Sequence, residues 1–98
     1  SNLASWYASQ CDGTWEKDRG LRIETLDNPG WCLTVDLHDT ALSEKPLKEI
    51  SEGCDANAVP TAPVWLHCSV QDSQFQGACD PTQLHRLFEI FDAFRLAR

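Results

Sequence analysis

Alternating apolar and polar positions dominate the middle of the chain. Leu21, Ile23 and Thr25 alternate with Arg22 and Glu24, and Trp31, Leu33, Val35 and Leu37 alternate with Cys32, Thr34 and Asp36. A period of two is the mark of a strand with one buried face, because successive side chains point to opposite sides. Between the two runs lies Asp27-Asn28-Pro29-Gly30. Proline presets φ and glycine tolerates positive φ, so this segment predicts a type II turn and residues 21–37 a hairpin. A third alternating run places Val64, Leu66, Cys68 and Val70 inward and Trp65, His67 and Ser69 outward. Residues 71–74 predict a turn and 75–79 a short final strand. Residues 48–52 are a further strand candidate, and 55–63, with two prolines and small side chains, reads as a loop.

The ends of the chain carry a different period. Leu3, Trp6, Tyr7 and Gln10 follow helical spacing, which predicts a helix over residues 3–12 stopped near Gly13. Residues 14–20, TWEKDRG, read as a polar connector. Leu84, Leu87, Phe88, Phe91 and Phe94 form the apolar stripe of a helix reaching about residue 96. Asp80-Pro81-Thr82-Gln83 predicts its start, with Asp80 as cap, Pro81 at the first helical position and Gln83 closing a capping box. The short connections favour antiparallel pairing. The expected fold is α+β: an antiparallel sheet of four to five strands with N-terminal and C-terminal helices packed on one face. The chain has 98 residues, which is one domain over 1–98, since half that length supports only a marginal core.

Charge narrows the partners. Eight Lys and Arg against fifteen Asp and Glu give a formal charge of -7, opposite to the basic footprint of a nucleic-acid binder and unsuited to an anionic membrane. Six of the acids lie in 36–55 against two lysines, which suits a docking surface for a basic protein. Glu24, Asp36, Asp39, Glu44 and Glu49 are the candidate contacts, with Trp65 on the outward face as an aromatic anchor. The five cysteines include no C-x-x-C pair, so neither zinc nor dithiol chemistry is signalled, and no cofactor is expected. The odd thiol count and a start without a signal-peptide pattern predict reduced thiols, mostly in the core, and a cytoplasmic setting. Nucleophilic catalysis has one candidate pair, Cys32 and His67, which share the outward face and would meet if their strands were neighbours.

The segments Gln10-Cys11-Asp12-Gly13-Thr14-Trp15-Glu16 and Thr25-Leu26-Asp27-Asn28-Pro29-Gly30-Trp31, with Trp6-Tyr7 before them and Val35-Asp36-Leu37 after, resemble the immunity protein 53 family. The resemblance runs over nearly the whole chain. It implies a bacterial antidote that binds one cognate toxin domain of a polymorphic toxin system and is not itself an enzyme. It assigns no catalytic residue. Trp15 and Glu16 match the family motif and remain open to a packing or a partner-binding role, whereas Trp31 reads as core. Many toxins that require antidotes are basic nucleases, so acidic and aromatic groups here are candidates to occupy a phosphate-binding cleft. A small thiol- or metal-dependent enzyme built on Cys32 and His67 is the alternative from another class.

Overall fold

The computed structural model describes residues 2–97. Eight elements follow one another: α1 (Leu3–Gln10), α2 (Trp15–Asp18), β1 (Leu21–Leu26), β2 (Gly30–Asp36), β3 (Ile50–Glu52), β4 (Leu66–Gln71), β5 (Gln74–Cys79) and α3 (Leu84–Leu96). The strands form one antiparallel sheet in the order β1-β2-β5-β4-β3. Two hairpins, β1–β2 and β4–β5, join through the β2–β5 ladder, and the chain crosses between them to lay β3 against the far side of β4. The expected α+β architecture is therefore present, with five strands.

Inward residues of the central strands make the core. Leu33, Val35, Leu66, Cys68 and Phe75 are fully buried and pack with Leu87, Phe91 and Phe94 of α3. The rings meet edge to face: Phe91 lies 5.2 Å from Phe75 and 5.0 Å from Trp6 of α1, and Trp6 lies 5.8 Å from Trp15. Such geometry sets the positive ring edge against the negative ring face. Both terminal helices thus cover the same side of the sheet.

Several local expectations are corrected. α1 ends at Gln10, and residues 15–18 of the presumed connector form a helical turn that buries Trp15. Gly30 is not a positive-φ turn residue but the first residue of β2. Glycine is needed there for close approach, since a Cβ would sit 2.3 Å from the Cys79 carbonyl oxygen and 3.2 Å from the Trp65 ring. α3 begins at Leu84 with Gln83 as its cap residue, so Pro81 lies outside the helix. Ile23 is 44% exposed despite facing the apolar side, because β1 is an edge strand beyond the reach of the helices. Trp31 is half-buried, its indole N–H donating to the Pro81 carbonyl at 3.1 Å. Of the thiols only Cys68 and Cys79 are buried; all five are free.

Candidate functional site

The face of the sheet away from the helices carries small and polar side chains in register. One row across the strands reads Arg22, Thr34, Gln76, Ser69; the next reads Glu24, Cys32, Ala78, His67, Ser51. Alternation alone puts these residues opposite the core. Short side chains leave the face hollow. A cavity of about 400 Å³ is lined by Asp18, Arg19, Arg22, Glu24, Thr34 and Asp36, together with Gln74 and Gln76. A second, of about 340 Å³, lies off the sheet and is lined by no strand residue: it shares Asp18 and Arg19 with the first and adds Asp12, Trp15 and Asp39.

Arg19 links the two hollows. Its guanidinium lies 3.6 Å from Asp36 Oδ2 and 3.7 Å from Asp39 Oδ2. Asp36 also accepts the His38 backbone N–H at 2.9 Å and lies 2.7 Å from His38 Nδ1. Asp39 is exposed and sits at φ 62°, in the left-handed region. Glu44 is exposed in the 41–44 turn, and Glu49 is exposed just before β3. Glu49 Oε2 lies 3.1 Å from His67 Nε2, within ion-pairing distance, but the approach is off the hydrogen-bonding line and this nitrogen makes no hydrogen bond.

Both tryptophans proposed for this surface are buried. Trp15 belongs to a closed loop. The Asp12 carboxylate accepts the Thr14 and Trp15 amides at 2.9 and 3.0 Å, and the Glu16 carboxylate accepts the Asp12 and Gly13 amides at 2.9 and 2.8 Å. Amide donors favour the ionised form. The Asp12 pKa is lowered chiefly by the Trp15 N–H and then the Thr14 N–H. That of Glu16 is lowered chiefly by its own amide, with Asp12 and Gly13 adding to it. This exchange holds the Trp15 ring in the core, where its indole N–H donates to the His38 carbonyl at 3.0 Å. Trp65, expected to point outward into solvent, is only 7% exposed. Its ring lies over Gly30, and its backbone is tied at both ends: Asp80 Oδ2 accepts its N–H at 3.0 Å, and its carbonyl accepts the Asp80 N–H and Gln83 Nε2. Alternation along the chain carries no sign of the contacts that bury this residue.

Asp80 anchors this corner instead of capping α3. It is 1% exposed and accepts the Thr82 amide and hydroxyl at 2.9 and 2.6 Å and Gln83 Nε2 at 2.7 Å. Burial raises its pKa, but the bonds from Thr82, Trp65 and Gln83 outweigh burial and hold it well below the carboxylate range.

The Cys32–His67 pair does not form. β5 separates their strands, and both residues flank Ala78 from opposite sides. Two strand spacings put them roughly 10 Å apart, too far for proton transfer. Desolvation pushes the thiols of Cys68 and Cys79 up to about 12 and about 11, which keeps them protonated. Among the described residues, no group of three His, Cys, Asp or Glu is placed to hold a metal ion, and no helix is long and apolar enough to cross a membrane. Sequence reasoning missed Asp18 and Arg19, which stand in the presumed connector. Their signal was the Lys17-Asp18-Arg19 charge alternation before Gly20.

These features define a small α+β domain whose sheet is covered by helices on one face and carries a polar hollow, lined by acidic and basic side chains, on the other. A family model described as Immunity protein 53 matches residues 1–95, and the chain belongs to that family. Comparison with curated proteins and with solved structures returns no match.

Proposed function

We propose that this immunity protein neutralises one cognate toxin domain by covering its active cleft, and that it carries out no chemistry of its own. The observation that supports this reading is the group of acids about Arg19. Asp18 lines two neighbouring hollows, Asp36 lines the first and Asp39 the second, Arg19 reaches both Asp36 and Asp39, and Glu44 and Glu49 are exposed elsewhere on the surface. A basic toxin, such as a nuclease with a phosphate-binding cleft, is the partner this charge would select. Complementary charge speeds encounter and fixes register more than it adds affinity. With Trp15 and Trp65 buried, the acids and the polar face are the surface a toxin would meet. A cytoplasmic site of action accords with the reduced thiols.

The test is the association rate with the toxin domain captured from cells carrying the native genes. Asp39→Lys combined with Glu49→Lys is expected to slow association about tenfold or more at low salt and to flatten its salt dependence. The fold is expected to survive, since both side chains are exposed. Unchanged association, unchanged salt dependence and full protection in the double variant would overturn the acidic-rim reading.

A further inference from the structure

β1 is a six-residue edge strand whose outer side faces no other strand among the described residues. The direction of its free groups follows from one bond. The Asp36 N–H donates to the Gly20 carbonyl at 3.0 Å, so Gly20 and Asp36 are a hydrogen-bonded pair. Antiparallel ladders alternate bonded and non-bonded pairs. Arg22, Glu24 and Leu26 therefore direct their backbone groups to β2, and Leu21, Ile23 and Thr25 direct theirs to the open edge. Uncovered edges of this kind are templates for another strand. The same edge exposes Ile23 on its apolar side. On the polar side, neither Arg22 nor Glu24 makes a salt bridge among the described residues.

We propose that this edge is the seam of a homodimer, in which β1 of two copies pair antiparallel about a two-fold axis through Ile23. In that register Ile23 faces Ile23, and Leu21 faces Thr25 of the second copy. Every outward amide and carbonyl of these three residues is then paired. On the other face Arg22 stands opposite Glu24 of the second copy, and the symmetry repeats the pair. Alternative centres are worse. An axis through Arg22 sets guanidinium against guanidinium, and one through Glu24 sets carboxylate against carboxylate. An axis at Leu21 sets Arg22 opposite Gly20 and Glu24 opposite Asp18, and one at Thr25 sets Glu24 opposite Leu26 and Arg22 opposite Asn28. Charges of one sign would guard the edge against a second copy, because like charges directly opposite repel. Opposite charges on either side of a central Ile do the reverse. The acidity of the chain does not oppose this seam, since residues 17–27 hold three basic and three acidic side chains. An isologous contact of this type closes after two copies and does not propagate. Glu24, read from the sequence as a toxin contact, is in this arrangement committed to the second copy.

Sedimentation of the protein alone, from low micromolar to millimolar concentration, tests the proposal without any toxin. A concentration-dependent monomer–dimer equilibrium is expected. Arg22→Glu and Glu24→Arg are each expected to weaken it about tenfold or more, since each replaces two attractive pairs by two repulsive ones. An equimolar mixture of the two variants is expected to restore a dimer, now mixed, because acidic and basic edges face each other again. Ile23→Pro is expected to abolish dimerisation and keep the fold, because the amide it removes points away from β2. Circular dichroism and melting report folding separately. A wild-type protein that stays monomeric throughout, as an edge reserved for a toxin strand would require, overturns the proposal. So does a dimer indifferent to both charge reversals and not re-formed selectively in the mixture.

Discussion

On one side of the sheet Leu33, Val35, Leu66, Cys68 and Phe75 are fully buried beneath α3. One residue along the same strands, Thr34 and Gln76 line the hollow of about 400 Å³, and Cys32 and His67 line a smaller one of about 220 Å³ with Ser69 and Ala78. The backbone pairing is shared; only the contacts differ. A slip of one residue in any ladder would exchange the two sets, so the apolar face fixes the register in which the polar face is displayed. The apolar and polar faces are thereby separated by one residue along each strand, and substitutions on the exposed polar face are expected to leave the core packing unchanged.

The sharpest test of that separation is Phe91→Ala. Phe91 is fully buried and touches Phe75, Phe94 and Trp6. Its truncation is expected to cost about 3–5 kcal/mol in denaturant unfolding, through lost burial and the cavity left behind. A cost near zero would mean that the aromatic cluster is not the core. Asp80→Ala comes next, at roughly 2–3 kcal/mol, because it strands the buried Trp65 amide and one N–H of the Gln83 amide. Asp80 also predicts a pH signature. Its pKa is lower folded than unfolded, so it stabilises the fold above its ordinary value of about 4 and loses that contribution as pH falls toward its folded value. Acid unfolding below about pH 4 is therefore expected to be steeper in the wild type than in Asp80→Asn. Equal pH dependence would show that Asp80 is not held ionised. The smallest effect is expected on the outer face: Gln76→Ala, at an exposed position, is expected to change stability by no more than about 0.5 kcal/mol. A larger loss would break the comparison, because it would give the polar face a share of the fold's stability.

The Asp12–Glu16 loop and the Asp80 corner mark where local reading stops. The last residues of the D-G-x-W-E segment, Thr14 to Glu16, pass for part of a polar connector, since the carboxylates and amides of residues 12–16 satisfy one another within five positions and no hydrophobic period results. Asp80-Pro81-Thr82-Gln83 has the composition of a helix start, and it does lead into α3. But the Asp80 carboxylate turns toward Trp65, fifteen residues away in sequence, and that partner is not visible in a local motif. Asp18 and Arg19 were missed for a similar reason. Nothing in TWEKDRG shows that Arg19 will meet Asp36 and Asp39 across the end of β2.

Local periodicity was enough to determine β1, β2 and β4, the first hairpin, the side of the sheet that residues of these three strands face, the apolar stripe of α3 and, through the quoted motifs, the family resemblance. These properties depend on a residue and its near neighbours, because the direction of a side chain follows from position along a helix or strand. The tertiary structure alone decided the order β1-β2-β5-β4-β3. That order placed β5 between Cys32 and His67, left Ile23 uncovered at the edge, buried Trp65 against Gly30 and gathered the acids around Arg19. Which strand lies beside which is settled by contacts between residues far apart in the chain, and those contacts leave no periodic trace in the sequence that makes them.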